Sequence, residues 1–215
     1  MASLSLARLA ELTGGKIIQG EPETRIVACT FDSRQATPGS LFFALKGIRD
    51  GHDYIAEARK KGAVAACVSR EVRDLPADFG LIQVNDTLQA LQQLAARVLA
   101  ESQLRVVGIT GSIGKTSTKE LTARLLSARF SVLRSMGNYN NQIGLPISIL
   151  SLNDSHQIAV LEMGMNHPGE IKRLVEIAPP EVAVITRIAP VHLEFFQTLE
   201  EIALAKKEIL AGAKP

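Results

Sequence analysis

Residues 106–118, Val106-Val107-Gly108-Ile109-Thr110-Gly111-Ser112-Ile113-Gly114-Lys115-Thr116-Ser117-Thr118, decide the fold. The first five form an apolar run rich in β-branched residues, and this run enters a loop that contains two glycines. The segment from Lys119 to Arg129 then carries apolar residues at helical spacing. The order of strand, loop and helix predicts a phosphate-binding loop.

Backbone N–H groups in such a loop, together with the positive dipole end of the following helix, favour polyphosphate. Lys115 would reach the β- and γ-phosphates, and the Thr116 hydroxyl would bind Mg²⁺. The loop is short, because Ile109 stands where the usual pattern has its first glycine. A glycine turn before a helix with a solvated lysine is the alternative, but the flanking strand and helix favour a nucleotide. The predicted nucleotide-binding residues are Thr110, Gly111, Ser112, Gly114, Lys115, Thr116 and Ser117.

Composition limits the class of protein. The 215 residues are 46% hydrophobic and 21% charged, which is typical of a globular chain that buries a core. A formal net charge of +2 without a Lys/Arg run argues against a nucleic-acid partner. No apolar run reaches the ~20 residues of a membrane span, and no secretory signal is present. Cys29 and Cys67 are too few and too far apart for a disulfide framework or a zinc site, so we expect a cytoplasmic protein with reduced thiols.

The first half of the chain predicts a small α/β unit. Helical spacing indicates helices over Leu4–Thr13, stopped by Gly14-Gly15, over Tyr54–Lys61, and over 86–100 with Asp86 as N-cap. Strand-like runs are Arg25–Phe31, Ser40–Leu45, Ala63–Ser69 and Gly80–Val84. We expect a domain over residues 1–84 and a second over 85–215, with the boundary near Val84 to Asn85.

The second half predicts the first part of a doubly wound, mostly parallel sheet, because buried strands alternate with amphipathic helices. After the phosphate-loop strand, the expected strands are Ser131–Ser135, Ile158–Met163 and Val182–Arg187. The expected helices after the phosphate-loop helix are Leu145–Leu150, Gly169–Ile177 and Leu199–Leu210. Sheets of this kind usually have more strands, so we expect the chain to be the N-terminal part of a longer protein.

Ligands of such sheets gather at the carboxyl ends of the strands, and two polar residues fall there. Glu162 ends the strand IAVLEM, where a carboxylate is costly unless it is paired or binds a metal. It is either a partly buried acid that caps a helix or, as we favour, a Mg²⁺ ligand. His192 follows the strand VAVITR. A lone loop histidine is more often structural than catalytic, but its place on the same rim favours a role.

Two further features do not by themselves indicate a site. Lys206 lies on the last helix beside Lys207, and the sequence by itself describes both as surface charges. Asn138, Asn140 and Asn141 are three asparagines within four positions. They suit a turn, and they equally suit amide contacts to a peptide or carboxylate substrate.

These stretches together resemble the Mur ligase family, the ATP-dependent amide-forming enzymes of peptidoglycan precursor synthesis. The similarity runs along the whole chain. It is carried by TGSIGKTSTKE, GNYNNQIGLP, LEMGMNHPGEI, the spaced HLE and AKKEIL, and near the N-terminus by FDSRQATPGSLFFALKGIRDGHDYI. The later motifs resemble the member that adds D-alanyl-D-alanine to UDP-N-acetylmuramoyl-tripeptide.

The resemblance implies roles for residues that the pattern alone left undecided. Lys115 and Thr116 would serve ATP and the first Mg²⁺, and Glu162 and His192 would hold magnesium at the site of transfer. Lys206 matches the position of a lysine that captures CO₂ as a carbamate and helps to hold a second Mg²⁺. The implied catalytic set is therefore Lys115, Glu162, His192 and Lys206, and the implied metal set is Thr116, Glu162, His192 and Lys206.

The implied substrate contacts lie in two places. Asn138, Asn140 and Asn141 would face the peptide end of the muramoyl substrate. The UDP-sugar would lie near Ser33, Arg34, Lys46, Asp50, Gly51 and His52. Two residues depart from the family pattern: Ile113 stands where relatives often carry a polar residue, and Arg187 stands where they often carry asparagine.

The implied activity is amide formation through an acyl phosphate, with the tripeptide and D-alanyl-D-alanine as substrates. We expect a monomer with neither nucleic acid nor membrane as a partner, and little turnover by these 215 residues alone. Two alternatives remain: the family member that adds the third amino acid, and a nucleotide-binding P-loop module without ligase chemistry.

Overall fold

The computed structural model describes residues 3–191 and 193–212. The chain forms two compact units, Met1–Arg97 and Val98–Pro215. Strands of both units run mainly parallel, which confirms the predicted α/β class. Among the described residues, no helix combines the length and apolarity that a membrane crossing requires.

The first unit is built on a five-stranded sheet. Its elements are β1 (Leu4–Ser5), α1 (Leu6–Thr13), β2 (Lys16–Gln19), β3 (Arg25–Ile26), β4 (Ala28–Thr30), β5 (Ser40–Phe43), α2 (Ile55–Lys60), β6 (Ala63–Val68), β7 (Gly80–Gln83) and the first part of α3 (Thr87–Ser102). The residues of α3 from Val98 onward belong to the second unit. The strand order is β2-β7-β6-β5-β4, parallel except for β2, which is antiparallel to β7. Strands β1 and β3 form a separate antiparallel pair.

Helix signals in the first unit act as expected, with small shifts at the ends. The backbone of Ser5 is extended and its hydroxyl accepts from Arg8 N, so α1 begins two residues later than predicted. Gly14 ends α1 in the left-handed region at φ 68°, as its sequence position indicates. The short edge strand β2 was not predicted, because KIIQ lies half exposed and lacks an apolar alternation. Asp86 caps α3, since its Oδ1 accepts from Leu88 N at 2.8 Å and Gln89 N at 3.0 Å.

The second unit carries the phosphate loop. It contains β8 (Arg105–Thr110), α4 (Lys115–Leu126), β9 (Val132–Arg134), α5 (Gly144–Ile149), β10 (Ile158–Glu162), α6 (Glu170–Ile177), β11 (Val182–Ile185) and α7 (Leu199–Lys207). A 3-10 helix, Glu208–Gly212, replaces the last turn of the predicted final helix. The four strands are all parallel in the order β11-β8-β10-β9.

Both faces of this sheet are covered. Ile109 and Val160 pack with Ala123 of α4 in one buried cluster. Gly108 points to the opposite face, where an added Cβ would lie 3.0 Å from Pro180 and 3.3 Å from Ile209 of the 3-10 helix. The strand β8 therefore ends between two layers, and its loop opens at the carboxyl edge of the sheet, where the sequence predicts the ligand.

The cap of α3 provides a test of this fold. Asp86→Ala removes the acceptor for two backbone N–H groups, and we expect a loss of about 1 kcal/mol in the free energy of unfolding. Urea denaturation followed by circular dichroism measures it. Asn85→Ala, at the exposed neighbouring position, is the matched control and should stay within about 0.5 kcal/mol of the parent. Equal stability of the two variants would contradict the cap.

Candidate nucleotide and metal site

The phosphate loop is shaped by two glycines in conformations that other residues adopt at a cost. Gly114 has φ 89° and directly precedes α4, whose first N–H groups have no partner within the helix. Gly111 has φ 147°, and a Cβ there would lie 1.9 Å from Thr186 Oγ1. The loop backbone can therefore approach Thr186 only because Gly111 lacks a side chain, whereas an added Cβ at Gly114 would lie 4.0 Å from Thr186 and only the backbone conformation favours glycine there.

The segment after β11 holds the loop from the side. Thr186 Oγ1 donates to Ile113 O at 2.7 Å, and Ser112 N donates to Arg187 O at 2.7 Å. Ser112 Oγ also donates to Ala189 O at 2.9 Å. Arg187 and Ile113 thus meet through their backbones, and the Ile113 side chain is 56% exposed. The sequence did not single out Thr186, although it follows a strand at the same edge and the rule that selected Glu162 applies to it equally.

Lys115 lies over its own loop. Its Nζ donates to Gly111 O at 2.8 Å and to Ser112 O at 3.3 Å. Thr110 lies at the base of the loop, and its buried Oγ1 has no hydrogen-bond partner among the residues that the structure describes. Ser117 is exposed on the first turn of α4. The predicted nucleotide-binding residues therefore share one loop and one helix end, an arrangement suited to an anion.

Glu162 joins three elements. Its side chain is only 2% exposed, Thr116 Oγ1 donates to Oε2 at 2.9 Å, and Asn140 Nδ2 donates to Oε1 at 2.8 Å. The helix α4, the end of β10 and the asparagine loop, defined here as Gly137–Asn141, therefore meet at one carboxylate. A carboxylate and a hydroxyl are the hard oxygen donors that Mg²⁺ prefers, so this pair fits the predicted metal. Within residues 3–191 and 193–212, no group of three or more His, Cys, Asp or Glu side chains is arranged to hold a metal ion.

Lys206 is buried, in contrast to the surface charge that its sequence position suggests. It is 1% exposed, whereas its neighbour Lys207 is exposed. Burial, with a smaller contribution from the positive charge of Lys115, lowers the pKa of Lys206 from 10.5 to about 8. Two amines near each other at this edge favour an anion beside them. The other predicted metal residue, His192, lies outside the residues that the structure describes.

The three asparagines have different surroundings. Asn140 contacts Glu162 directly. Asn141 Oδ1 accepts from Ile143 N at 3.1 Å and Gly144 N at 2.9 Å, and so caps the start of α5. Asn138 is exposed. Of the three, only Asn140 is thus joined to the magnesium-site candidate, while contacts of all three with a peptide remain a prediction.

The residues predicted to lie near a UDP-sugar form two local networks in the first unit. Ser33 Oγ donates to Glu57 at 2.8 Å, and Arg34 makes a bidentate pair with Asp32. The Arg34 hydrogen bond is the main reason that the pKa of Asp32 falls to about 2. These contacts hold the turn after β4, and Arg34 itself remains exposed.

The second network surrounds a buried histidine. His52 Nε2 accepts from Ser69 N at 2.9 Å, so Nδ1 carries the proton that it shares with Asp50. The backbone N–H of His52 is the first cause of the lowered pKa of Asp50, about 2. Gly51 N donates to Leu45 O, and Lys46 is exposed on the same loop. Both nitrogens of His52 are therefore engaged within the protein.

Gly111 and Gly169 both have positive φ but differ in the space around an added Cβ, and this difference tests the shape of the phosphate loop. Gly111→Ala combines an unfavourable φ with overlap at Thr186, and we expect a loss of about 3 kcal/mol in unfolding free energy. Gly169→Ala is the control, because Gly169 has φ 83° but nothing within 4 Å of an added Cβ. It should cost about 1–2 kcal/mol from backbone strain alone. Urea denaturation measures both, and equal losses would refute the close approach to Thr186.

Comparison with known proteins identifies the family of the chain. The model of the Mur ligase middle domain matches residues 109–215, and that of the Mur ligase family, catalytic domain matches residues 25–98. UDP-N-acetylmuramoyl-tripeptide–D-alanyl-D-alanine ligase from Rickettsia prowazekii is 49% identical over 179 residues, covering 83% of this chain and 40% of that protein. The enzyme of the same name from Escherichia coli is 44% identical over 215 residues, covering 99% of this chain and 46% of that protein.

Solved structures agree with these relatives. The crystal structure of MurF from Acinetobacter baumannii aligns with a TM-score of 0.91 at 37% identity and covers 100% of this chain and 48% of that chain. MurF ligase from Thermotoga maritima in complex with ADP aligns with a TM-score of 0.77 at 40% identity, and the alignment covers 87% of this chain and 43% of that chain. The chain spans about half the length of the relatives it matches. Since two models of one family together match most of the chain, the protein belongs to the Mur ligase family.

Proposed function

We propose that the protein is an ATP-dependent ligase that joins D-alanyl-D-alanine to UDP-N-acetylmuramoyl-tripeptide. One observation carries the proposal: the buried Glu162 accepts hydrogen bonds from Thr116 at the start of α4 and from Asn140 of the asparagine loop. A nucleotide element and a predicted substrate element thus converge on one potential metal ligand. The names of the relatives from Rickettsia prowazekii and Escherichia coli, and the ADP complex of the Thermotoga maritima ligase, support the same activity.

ATP would bind over the loop between β8 and α4. Loop amides and the N-terminal end of α4 would hold the phosphates, and Lys115 would exchange its contacts with Gly111 O and Ser112 O for phosphate oxygens. That exchange places a positive charge beside the γ-phosphoryl group, where negative charge shifts during transfer.

Magnesium would be held by Thr116 and Glu162, with His192 and a carbamate on Lys206 completing the set by resemblance to the family. When bound, Mg²⁺ offsets phosphate charge and orients the oxygens involved in transfer. Before binding, Glu162 keeps the Thr116 hydroxyl in place through their 2.9 Å hydrogen bond. Asn140 holds the other carboxylate oxygen, so the ligand is oriented in advance.

Lys206 has the environment that carbamate formation requires. The reaction joins the neutral amine nitrogen to the carbon of CO₂ and releases one proton, so it needs an unprotonated lysine. A pKa of about 8 leaves more neutral amine near pH 7 than an exposed lysine has. The positive charge of Lys115 repels a protonated Lys206, whereas it would attract the anionic carbamate.

In the proposed reaction, the tripeptide carboxylate attacks the γ-phosphorus of ATP, and ADP leaves. The amine of D-alanyl-D-alanine then attacks the carbonyl of the acyl phosphate, and phosphate leaves as the amide forms. Asn138, Asn140 and Asn141 would meet the peptide end. The residues around the buried Ser33 and His52 would meet the UDP-sugar, with Arg34 and Lys46 as exposed cations suited to its diphosphate. We further propose a cytoplasmic monomer with neither nucleic acid nor membrane as a partner.

Acceptor choice tests the function. We expect the protein expressed from its complete gene to release phosphate from ATP when UDP-N-acetylmuramoyl-tripeptide and D-alanyl-D-alanine are both present. Omitting either substrate should abolish release, and the 215 residues alone should give little. Turnover with single amino acids on a dipeptide substrate instead would assign the third-residue ligase. ATP hydrolysis that ignores both substrates would indicate a nucleotide-binding module without ligase chemistry.

Lys206 gives a second test, which addresses the carbamate. Lys206→Ala should lower kcat at least 100-fold, and a small carboxylic acid such as formate should restore part of it by supplying the missing anion. Lys207→Ala, the exposed neighbour, is the control and should keep parental activity. An active Lys206→Ala variant, or an inactive one that no carboxylic acid restores, would argue against the carbamate.

A further inference from the structure

A fully buried lysine lies beside the proposed site without belonging to its nucleotide or metal ligands. Lys119 stands on α4 one helical turn after Thr116, and its side chain has 0% exposure. A buried ammonium is costly unless its donors and its charge are matched. The burial of Lys119 therefore requires partners for its charge and for its three N–H donors, and the predicted nucleotide-binding residues are not among them.

The partners of Lys119 account for its burial. Its Nζ donates to Ser135 O at 2.9 Å and to Gly137 O at 2.8 Å, and it lies 3.1 Å from Glu120 Oε1. These three contacts match the three donors of an ammonium group. Glu120 in turn pairs with Arg134 at 2.8 Å. The cation is thus satisfied mainly by the chain that leaves β9.

Both carbonyl partners lie at the N-terminal end of the asparagine loop, since Ser135 comes just before it and Gly137 is its first residue. The far side of this loop is held by Glu162 and by Gly164, whose N–H donates to Asn140 O at 2.7 Å. Within the loop, Asn140 N donates to Asn138 O at 2.7 Å. The loop is therefore anchored at two ends, with Lys119 forming the anchor on the α4 side.

Ser135 connects the two anchors. Its carbonyl accepts from Lys119, and its Oγ accepts from Glu162 N at 3.0 Å. Lys119 Nζ itself lies 4.0 Å from Glu162 Oε2. A continuous set of contacts thus joins α4, the end of β9, β10 and the asparagine loop. It runs from Lys119 to Ser135, from Ser135 to Glu162, and from Glu162 to Asn140.

We propose that Lys119 is a positioning residue that holds the asparagine loop against the phosphate-loop helix, so that the muramoyl-peptide end of the substrate meets Asn140 and Glu162 in one preset arrangement. The peptide role of the loop rests on the proposed function; the anchoring does not. The hydrogen-bond acceptors of Lys119 are the carbonyls of Ser135 and Gly137, on the side of the asparagine loop. Its nearest approach to the metal site is the 4.0 Å separation from Glu162, which is longer than a hydrogen bond. Its loss should therefore weaken use of the peptide substrate more than use of ATP.

Hydrogen–deuterium exchange of the 215-residue chain tests the anchor directly. In Lys119→Met, which keeps an unbranched buried side chain but has no charge or donor, amides 137–141 should exchange roughly tenfold faster, because two hydrogen bonds to a charged group are lost. Exposed Arg124 lies on the same helix, and Arg124→Met should leave exchange of these amides unchanged. Amides of β6 in the first unit serve as an internal reference.

Unchanged protection of amides 137–141 in folded Lys119→Met would overturn the proposal. If Lys119→Met does not fold, Lys119→Gln takes its place, since it keeps a neutral donor in a shorter side chain. The same faster exchange is then expected, and protection equal to the parent overturns the proposal.

Kinetics of the protein from its complete gene test the consequence for substrate use. In Lys119→Met we expect the KM for UDP-N-acetylmuramoyl-tripeptide to rise roughly tenfold while the KM for ATP stays within about twofold, because the two hydrogen bonds that are lost, to Ser135 O and Gly137 O, both lie on the side of the asparagine loop. An equal rise in both KM values, or no rise in either, contradicts the positioning role. If the parent shows no ligase turnover, the proposed function fails, and hydrogen exchange alone still decides whether Lys119 anchors the loop.

Discussion

The second unit depends on the hydrogen bonds that Thr116 and Asn140 donate to the buried carboxylate of Glu162. A carboxylate at the end of an apolar strand is costly unless every oxygen is matched. Here Thr116 and Asn140 each donate to one oxygen, and Lys119 brings a positive charge to 4.0 Å. Because these partners come from a helix and from a loop, matching the carboxylate also fixes how these elements meet β10.

The phosphate loop depends on its two glycines and on hydrogen bonds with the segment after β11, made by the backbone of Ser112 and by the hydroxyls of Ser112 and Thr186. Gly111 and Gly114 supply the conformations, and the segment after β11 supplies the hydrogen bonds that hold the loop open. This explains why Ile113 and Arg187, which the sequence predicts to be unusual for the family, are compatible with the fold. Ile113 points into solvent, and Arg187 contributes its carbonyl, so neither side chain is needed for the shape of the cradle.

Most elements could be predicted from local signals. Apolar runs placed β6, β8 and β10, and the residues Gly14 and Asp86 marked helix ends through backbone rules that act within a few positions. The strand β2 escaped prediction because an exposed edge strand needs little apolar surface. The predicted boundary near Val84 and the division between Arg97 and Val98 lie on either side of the first turns of α3. A helix that runs across both units carries no composition change to mark such a division.

The sequence by itself determined that a strand, a glycine loop and a helix would form an anion cradle, since each of those signals is local. It also indicated that Glu162 would lie at the same edge, because carboxyl ends of parallel strands converge. Only the tertiary structure decided which lysines are buried. The sequence predicted surface charges at both Lys206 and Lys207, yet Lys206 is enclosed and Lys207 is exposed, and it carried no sign that Lys119 would be enclosed as well. Burial depends on what packs over a helix from distant parts of the chain, here the backbone of Ser135 and Gly137 over Lys119, and no local pattern carries that information.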